Sequence, residues 1–142
     1  MAQVYKSECY CTNLRRSTNI VSSFYDSFLK ESGLTIAQYY LLINLSRLGS
    51  ANITHWAERV GLDRSTLVRN IKLLQAHDYI QAVAGHGKVF TLSPWGEQAL
   101  ASAKPLWQKA QEQIEAVLGN DDIDALLRIS DKLQSLNKIG EK

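Results

Sequence analysis

Residues 62–74 read LDRSTLVRNIKLL, and the fold of the chain can be worked out from this stretch. Asp63 is a favourable helix N-cap, because its carboxylate can accept a hydrogen bond from a free amide of the first turn. A mixture of leucine, isoleucine and polar residues follows at helical spacing. We therefore predict a helix that begins after Asp63 and runs to about His77.

This predicted helix has an apolar face and an opposite polar face when residues are placed at about 100° intervals. The apolar face carries Leu67, Ile71 and Leu74. The polar face, roughly 140–200° away, carries Ser65, Arg69, Lys72 and the small Ala76. A polar helix face is often simply solvated, so the pattern alone does not show what the face does.

The same face would suit a helix that reads DNA. An arginine can form two hydrogen bonds with a guanine edge, and Ser or Thr can reach a phosphate or a base. Reading helices present mainly their N-terminal part to the major groove, and a helix N-terminus favours a phosphate. The DNA-binding candidates on this helix are Arg64, Ser65, Thr66, Arg69 and Lys72.

Three helices are predicted before this one. The first spans about Cys9–Lys30, and the second begins at a capping box formed by Thr35 and Gln38. The third is short, covers about Thr54–Val60, and ends at Gly61. Two short helices joined by a tight glycine turn are typical of a helix-turn-helix.

A β-hairpin and two further helices are predicted after it. Tyr79–Ala84 and Lys88–Leu92 are rich in β-branched and aromatic residues, and Gly85-His86-Gly87 separates them. Ser93-Pro94 then starts a long helix, and Gly119–Asp122 divides it from a last one. The order α-α-α-α-β-β-α-α predicts a mainly α fold with a small β-hairpin, a winged helix-turn-helix.

We expect one domain over residues 1–142, with the winged helix-turn-helix at 34–92 and flanking helices in 1–33 and 93–142. The later helices carry more apolar surface than so small a winged region needs, which favours a homodimer over packing within one chain. The residues concerned are Leu106, Trp107, Ile114, Val117 and Leu118, together with the final helix.

Composition excludes several classes of protein. Hydrophobic residues make up 45% of the 142 residues and charged residues 21%, as in ordinary globular proteins. The formal net charge of +2 is too small to indicate nucleic acid by itself. No stretch predicts a transmembrane helix, and the first residues lack the apolar core of a signal peptide, so we expect a cytoplasmic protein.

The sequence GLDRSTLVRNIKLL, the hairpin after it and the LSPWG segment at 92–96 resemble the MarR family of bacterial transcription regulators. The resemblance covers about residues 9–118. It implies a homodimer whose first and last helices interlock. It also implies that Ser65, Thr66 and Arg69 enter adjacent major grooves of a near-palindromic site, usually as part of a repressor.

The hairpin departs from the pattern of the family. The family's wing is usually longer and carries arginines that reach the minor groove, whereas this tip reads Gly85-His86-Gly87-Lys88. Lys88 and His86 are its remaining candidates for phosphate contact. We therefore expect a smaller footprint on DNA and a shallower dependence of affinity on salt.

Cys9 and Cys11 lie near the start of the first helix, where the helix dipole and Arg15 favour the thiolate. The peroxide-sensing OhrR branch of the family has a reactive cysteine at the position of Cys11, and one of its two sulfur-holding tyrosines matches Tyr25. Ile36 stands at the other position. The alternative is that both cysteines are small hydrophobic residues.

A second hypothesis for a signal is a small aromatic ligand bound between the dimer helices and the winged region, as the resemblance implies. The candidates to line its pocket are Tyr25, Tyr39, Tyr40 and Trp56, although such aromatic residues also serve as ordinary core. The three histidines are scattered, so we predict no metal and no cofactor.

Two other classes of function compete with a DNA-binding regulator. An enzyme is disfavoured, because the sequence has no phosphate-binding glycine loop, no nucleophile elbow and no evident triad. A winged-helix module that binds another protein, with weak or lost DNA binding, is the stronger alternative. The arginine-free hairpin favours that module, and the intact Arg64 and Arg69 disfavour it.

Overall fold

The computed structural model describes residues 6–85 and 88–137, which form helices and a small sheet. The helices are α1 (Tyr10–Leu29), a 3-10 turn (Lys30–Ser32), α2 (Ile36–Leu48), α3 (Ile53–Val60), α4 (Arg64–Ala76), α5 (Pro94–Leu118) and α6 (Asn120–Gln134). The strands are β1 (Ala51–Asn52), β2 (Ile80–Ala82) and β3 (Val89–Leu92). None of the described helices is long and apolar enough to cross a membrane. The chain divides into two compact units, and the boundary lies between Trp107 and Gln108.

Side-chain caps set the starts of the helices of the helix-turn-helix. At α2, the Thr35 hydroxyl accepts from the Gln38 amide at 3.1 Å, and the Gln38 side chain accepts from the Thr35 amide at 3.0 Å. Asp63 caps α4 by accepting from the Thr66 amide at 2.7 Å. Both caps were predicted from the sequence. The cap of α3 was not predicted from the sequence. Asn52 Oδ1 accepts a hydrogen bond from the His55 amide at 2.8 Å, so α3 begins at Ile53.

The sheet has three antiparallel strands in the order β1-β3-β2, where the sequence predicted a hairpin of two. The strand that was missed, β1, pairs with β3 through Ala51 opposite Phe90. Two residues are too few to show strand periodicity, so only the pairing reveals β1. The predicted tip residues His86 and Gly87 lie outside the described residues.

The core of the first unit lies between the sheet and helices α1 to α5. Trp56, Leu42, Leu45, Leu67 and Leu74 are fully buried there. Ile71 is only 4% exposed, so the predicted inward face of α4 is confirmed. Because this face is fixed in the core, the opposite side of α4 points outward.

The hairpin joins α5 through one tight junction. The Ser93 amide donates to the Tyr79 carbonyl at 3.0 Å, and the Ser93 hydroxyl donates to the Asp78 carbonyl. Ser93 Oγ also accepts from the Gly96 amide at 2.9 Å, which caps α5 as predicted. A Cβ atom on Gly96 would lie 2.0 Å from the Tyr79 carbonyl oxygen, so only glycine fits here.

The second unit contains the end of α5 and all of α6. The break between them is narrower than predicted, because it is confined to Gly119, which has φ +80°, and α6 already begins at Asn120. Many large apolar side chains in this unit are exposed in a single chain. They are Val117, Leu118, Leu126, Leu127, Ile129, Leu133 and Leu136.

The first helix, α1, also exposes apolar side chains. Leu14 and Val21 are 49% and 42% exposed, and Ile20 is 69% exposed. Further along α1, Phe24 and Phe28 are half-buried, and their ring centroids lie 5.0 Å apart. The C-terminal part of α1 therefore packs inside the chain more closely than its N-terminal part.

Candidate nucleic-acid interface and aromatic cavity

The outward face of α4 carries the residues that the sequence predicted for DNA contact. Arg64, Ser65, Arg69 and Lys72 are exposed, and Thr66 is half-buried. These residues lie opposite the buried Leu67, Ile71 and Leu74. These polar side chains lie on a helix whose position the core fixes.

Hydrogen bonds within the face hold several of these side chains. Arg64 Nη1 donates to Thr54 Oγ1 of α3 at 2.8 Å, and this bond ties the two helices together at their exposed ends. Arg69 Nη2 lies 3.4 Å from Thr66 Oγ1, a long hydrogen bond that a stronger acceptor would readily replace. The hydrogen bond to Thr66 therefore positions the Arg69 guanidinium but does not fix it.

Asp63 is the acidic residue at the start of this face. The Thr66 amide, the Thr66 hydroxyl and the Ser65 hydroxyl all hydrogen-bond its carboxylate and lower its pKa, and the nearby charge of Arg69 lowers it further. The Ser65 hydroxyl lies 2.9 Å from Asp63 Oδ1. Asp63 thus stays ionised and orders the first turn of α4.

Of the two hairpin candidates, Lys88 is exposed beside β3, and His86 lies outside the described residues. The hairpin sequence from Ile80 to Leu92 contains no arginine. The sheet places Lys88 next to the start of β3, and this is the only cation of the hairpin region within the described residues. Within the described residues, the hairpin therefore offers one cationic side chain, Lys88, for contact with a phosphate.

A cavity of about 550 Å³ lies in the first unit between residues of α1, α2 and α5. It is lined by Tyr25, Ile36, Tyr39, Tyr40, Ile43, Asn44, Arg47, Lys104 and Trp107. Three of the four predicted pocket residues are present. The fourth, Trp56, is wrong, because its side chain is fully buried and its Nε1 donates to the Leu41 carbonyl at 3.1 Å.

One wall of the cavity is aromatic. The rings of Tyr39 and Trp107 stack with centroids 5.9 Å apart and an angle of 17° between their planes. Burial raises the pKa of Tyr39, and the charge of Arg47 opposes that rise. Tyr39 therefore keeps its phenolic proton beside a guanidinium group.

The cavity is connected to the helix-turn-helix by two side chains of α2. Asn44, which is 5% exposed, accepts from Arg59 Nε at 3.1 Å and donates to the Tyr40 carbonyl at 2.9 Å. The Tyr40 hydroxyl donates to the Val60 carbonyl at 3.3 Å. Both Arg59 and Val60 belong to the last turn of α3, immediately before the turn into α4.

Both cysteines are exposed and unbridged. Hydrogen bonds from the Thr12 side chain and amide, and then from the Cys11 amide, lower the pKa of Cys9, which is the N-cap of α1. Arg15 Nη2 lies 4.0 Å from Cys11 Sγ. The sequence suggested Cys11 as a possible redox sensor, and the structure places Cys9 beside it at the same exposed start of α1.

Tyr25 and Cys11 do not form a site within one chain, and their pairing, which the resemblance suggested, stays a prediction. Both residues lie on α1, fourteen positions apart. At about 1.5 Å per residue they are separated by roughly 21 Å along the helix axis. Tyr25 instead lines the cavity. Ile36, which stands at the position of the second sulfur-holding tyrosine of the OhrR branch, lines the same cavity.

Sequence reasoning missed several residues of both sites. Thr54 carried no signal, because its partner Arg64 is ten residues away. Arg47 has the spacing to share a face with Ile43 and Asn44 on α2, so it could have been found by helical periodicity. Lys104 and Trp107 come from α5, and only the tertiary structure brings them to α2.

Comparisons with known proteins agree with this architecture. The model of the MarR family matches residues 32–88. The M. tuberculosis transcriptional regulator MosR is 31% identical over 95% of this chain and 97% of its own, with a TM-score of 0.72. Its complex with DNA gives 28% identity, 94% and 97% coverage and a TM-score of 0.77.

Two more distant structures share the fold. The transcriptional repressor CouR bound to p-coumaroyl-CoA is 24% identical over 89% of this chain and 92% of its own, with a TM-score of 0.81. Bordetella bronchiseptica BpsR, whose DNA binding is regulated by 6-hydroxynicotinic acid, is 22% identical, with 94% and 99% coverage and a TM-score of 0.79. No curated protein matches the chain.

The family model covers α2, the helix-turn-helix and the start of the hairpin, and the alignment with MosR extends along nearly the whole chain. Family membership therefore rests on more than the short α4 motif. The chain belongs to the MarR family of transcription regulators.

Proposed function

We propose that this protein is a transcription repressor that binds a near-palindromic DNA site as a homodimer. The single observation that carries the proposal is the outward face of α4, on which exposed arginines and hydroxyl groups lie opposite a fully buried apolar face. The DNA complex of MosR, the repressor CouR and its complex with a 23-mer DNA duplex support it.

In this proposal the N-terminal turns of α4 enter the major groove. Arg69 reads a guanine edge, because its guanidinium is exposed and its hydrogen bond to Thr66 Oγ1 is long, at 3.4 Å. Ser65 and Thr66 contact a phosphate or a base at the helix N-terminus. Arg64 and Lys72 neutralise phosphates on either side, and Lys88 adds one contact from the hairpin.

The exposed apolar residues of α1 and of α6 support the homodimer. A soluble monomer rarely leaves so many large aliphatic side chains exposed on its helices, and burying them against a second copy removes that surface from water. We assign residues 1–33 and 93–142 to dimerisation and 34–92 to DNA binding, as parts of a single domain.

We propose that DNA binding is released by a small aromatic ligand in the cavity or by thiol oxidation. The p-coumaroyl-CoA bound to CouR and the 6-hydroxynicotinic acid that regulates DNA binding by BpsR support the first route. The lowered pKa of Cys9 supports the second, with Cys11 as the neighbouring thiol. The two routes are separable, because a Cys9→Ser, Cys11→Ser double variant removes oxidation alone.

We assign the protein no catalytic activity and place it in the cytoplasm with its DNA. The family consists of transcription regulators, which supports the first assignment. The second candidate function is a winged-helix module that binds another protein, and the arginine-free hairpin favours it. Such a module would keep its fold and its dimer but show no DNA sequence preference.

Selection from a random double-stranded DNA library at near-physiological salt, read by sequencing, tests the proposal. A repressor of this kind enriches an inverted repeat whose half-sites are about one helical turn apart. Folded, dimeric protein that enriches no sequence would support the protein-binding module instead.

A further inference from the structure

We propose that Thr54 of α3 is a positioning residue for DNA binding, which holds the Arg64 guanidinium of α4 in an orientation that contacts a DNA phosphate. The observation behind it is the hydrogen bond of 2.8 Å from Arg64 Nη1 to Thr54 Oγ1. The inference rests on the proposed function, because Thr54 lies outside the polar face of α4 and acts through a residue of that face.

Arg64 stands where its own helix gives a side chain little support. It is the first residue of α4, immediately after the Asp63 cap. Side chains of a helix lean toward its N-terminus, onto the preceding turn. At the first position that turn does not exist, so support for Arg64 comes from outside α4. The structure supplies it from Thr54, ten residues earlier in the chain.

Thr54 is a well-placed acceptor. It lies in the first turn of α3, which Asn52 caps through the His55 amide. Its neighbours Ile53 and Trp56 are buried in the core, so α3 cannot rotate about its axis without exposing them. A threonine side chain is also restricted at χ1, because it branches at Cβ. The hydroxyl oxygen is therefore held within a narrow range of positions beside α4.

The bond leaves most of the guanidinium available. Arginine has five N–H donors in a rigid fork, and the bond to Thr54 uses one of them. The remaining donors can form the paired hydrogen bonds that a phosphate accepts from arginine. Arg64 and Thr54 are both exposed, so a phosphate can reach the guanidinium from solvent. In a helix-turn-helix the first helix crosses the DNA backbone while the second enters the groove, which places this pair beside the phosphates.

Preorganisation is the contribution of such a bond. A long cationic side chain loses rotamer freedom when it binds, and one that is already held in the bound orientation loses less. A hydrogen bond that is open to water adds little to the stability of the fold, because water competes for both groups. Removing the Thr54 hydroxyl should therefore reduce affinity for DNA much more than it reduces stability.

The test is fluorescence anisotropy of the full-length protein, at several salt concentrations, with the inverted repeat recovered by selection and with an unrelated duplex of equal length. Thr54→Val removes the acceptor and keeps the shape of the side chain. We expect it to weaken binding to both duplexes by roughly three- to tenfold, since phosphate contacts carry no sequence information. Thr54→Ser is the matched control, because it keeps the acceptor and should retain most of the affinity.

The salt dependence separates a positioning role from a lost charge. Arg64→Ala removes one phosphate contact, so the slope of the logarithm of affinity against the logarithm of salt concentration should become shallower by about one. Thr54→Val keeps the charge, so its slope should equal that of the natural protein. In the Arg64→Ala background Thr54→Val should have no further effect, because Thr54 acts through Arg64.

Urea unfolding confirms that every variant keeps its fold. The inference is overturned if Thr54→Val binds both duplexes as tightly as the natural protein, if Thr54→Ser is as weak as Thr54→Val, or if Thr54→Val weakens the Arg64→Ala variant by the same factor. Natural protein that binds neither duplex refutes the proposed function and this inference together. Natural protein without sequence preference refutes sequence recognition alone, and the Thr54 variants on the unrelated duplex still decide the inference.

Discussion

Asn44 of α2 accepts a hydrogen bond from Arg59 Nε of α3 at 3.1 Å while it lines the aromatic cavity. The same asparagine donates to the Tyr40 carbonyl, so its buried amide is satisfied on both sides. A buried amide that loses one of these partners would carry an unmet hydrogen bond. Asn44, like Tyr40, thus lines the cavity and also hydrogen-bonds the last turn of α3.

A double-mutant cycle measures this link. Asn44→Ala and Arg59→Ala should each lower the free energy of unfolding, and the two changes together should cost less than their sum by roughly 1 kcal/mol. Urea denaturation of the four proteins gives the coupling. Strictly additive effects would show that the two side chains do not support each other.

Gly96→Ala should destabilise the protein, because the new methyl group would lie 2.0 Å from the Tyr79 carbonyl oxygen. We expect a cost of roughly 1–3 kcal/mol from overpacking. Helix propensity alone predicts the opposite sign, a gain of about 1 kcal/mol for alanine. The midpoint of urea unfolding decides between them, and a variant more stable than the natural protein would refute the close approach.

Gly61→Ala is the comparison for that variant. Gly61 has open space around its Cβ position but a φ of +72°, so its cost comes from backbone strain alone. We expect this substitution to cost less than Gly96→Ala, because no atom has to move. If Gly61→Ala destabilised the protein more than Gly96→Ala, the Tyr79 carbonyl would have to move away from the new methyl group at little cost.

Asp63 should give the stability a specific pH dependence. Its pKa is lowered by hydrogen bonds from Thr66 and Ser65, so its contribution is fully present above the unfolded value of 3.8 and is lost as the pH falls through the folded value. Asp63→Asn keeps a cap but does not titrate. The difference in unfolding free energy between the two proteins should therefore shrink below about pH 4, and a difference independent of pH would contradict the assignment.

Cys9 should react with iodoacetamide at a lower pH than an ordinary thiol. The Thr12 side chain and amide lower its pKa below 9.0, which favours the reactive thiolate. The rate is measured against pH in a Cys11→Ser background, so that only Cys9 is labelled. Thr12→Val should move the midpoint upward, and an unchanged midpoint would show that the Thr12 hydroxyl plays no part.

Much of the fold followed from local sequence signals. Thr35, Gln38 and Asp63 cap helices through neighbours three residues away, and such short-range bonds are readable from one sequence. The strand at Ala51 was not readable, because its partner Phe90 is nearly forty residues distant. Its two residues stand before α3 and give no alternation to detect.

The outward face of α4 and the aromatic cavity also differed in how far the sequence could predict them. The outward face of α4 lies on one helix, so its periodicity alone placed Arg69 and Lys72 opposite Leu67. The cavity draws Lys104 and Trp107 from α5 and Arg47 from α2, and only tertiary packing makes them neighbours. Trp56 was misplaced because an aromatic residue on an inward helix face looks the same whether it lines a cavity or fills the core.

The measurement that tests the central claim most directly is the affinity of Arg69→Ala and Lys72→Ala for a selected inverted repeat and for an unrelated duplex of equal length, by fluorescence anisotropy at one salt concentration. Arg69→Ala should lose roughly 1–3 kcal/mol on the selected sequence and little on the unrelated one, since base contacts specify. Lys72→Ala should weaken both equally, as loss of a phosphate contact does. If Arg69→Ala binds both duplexes as tightly as the natural protein, α4 does not read DNA through Arg69, and the account is wrong.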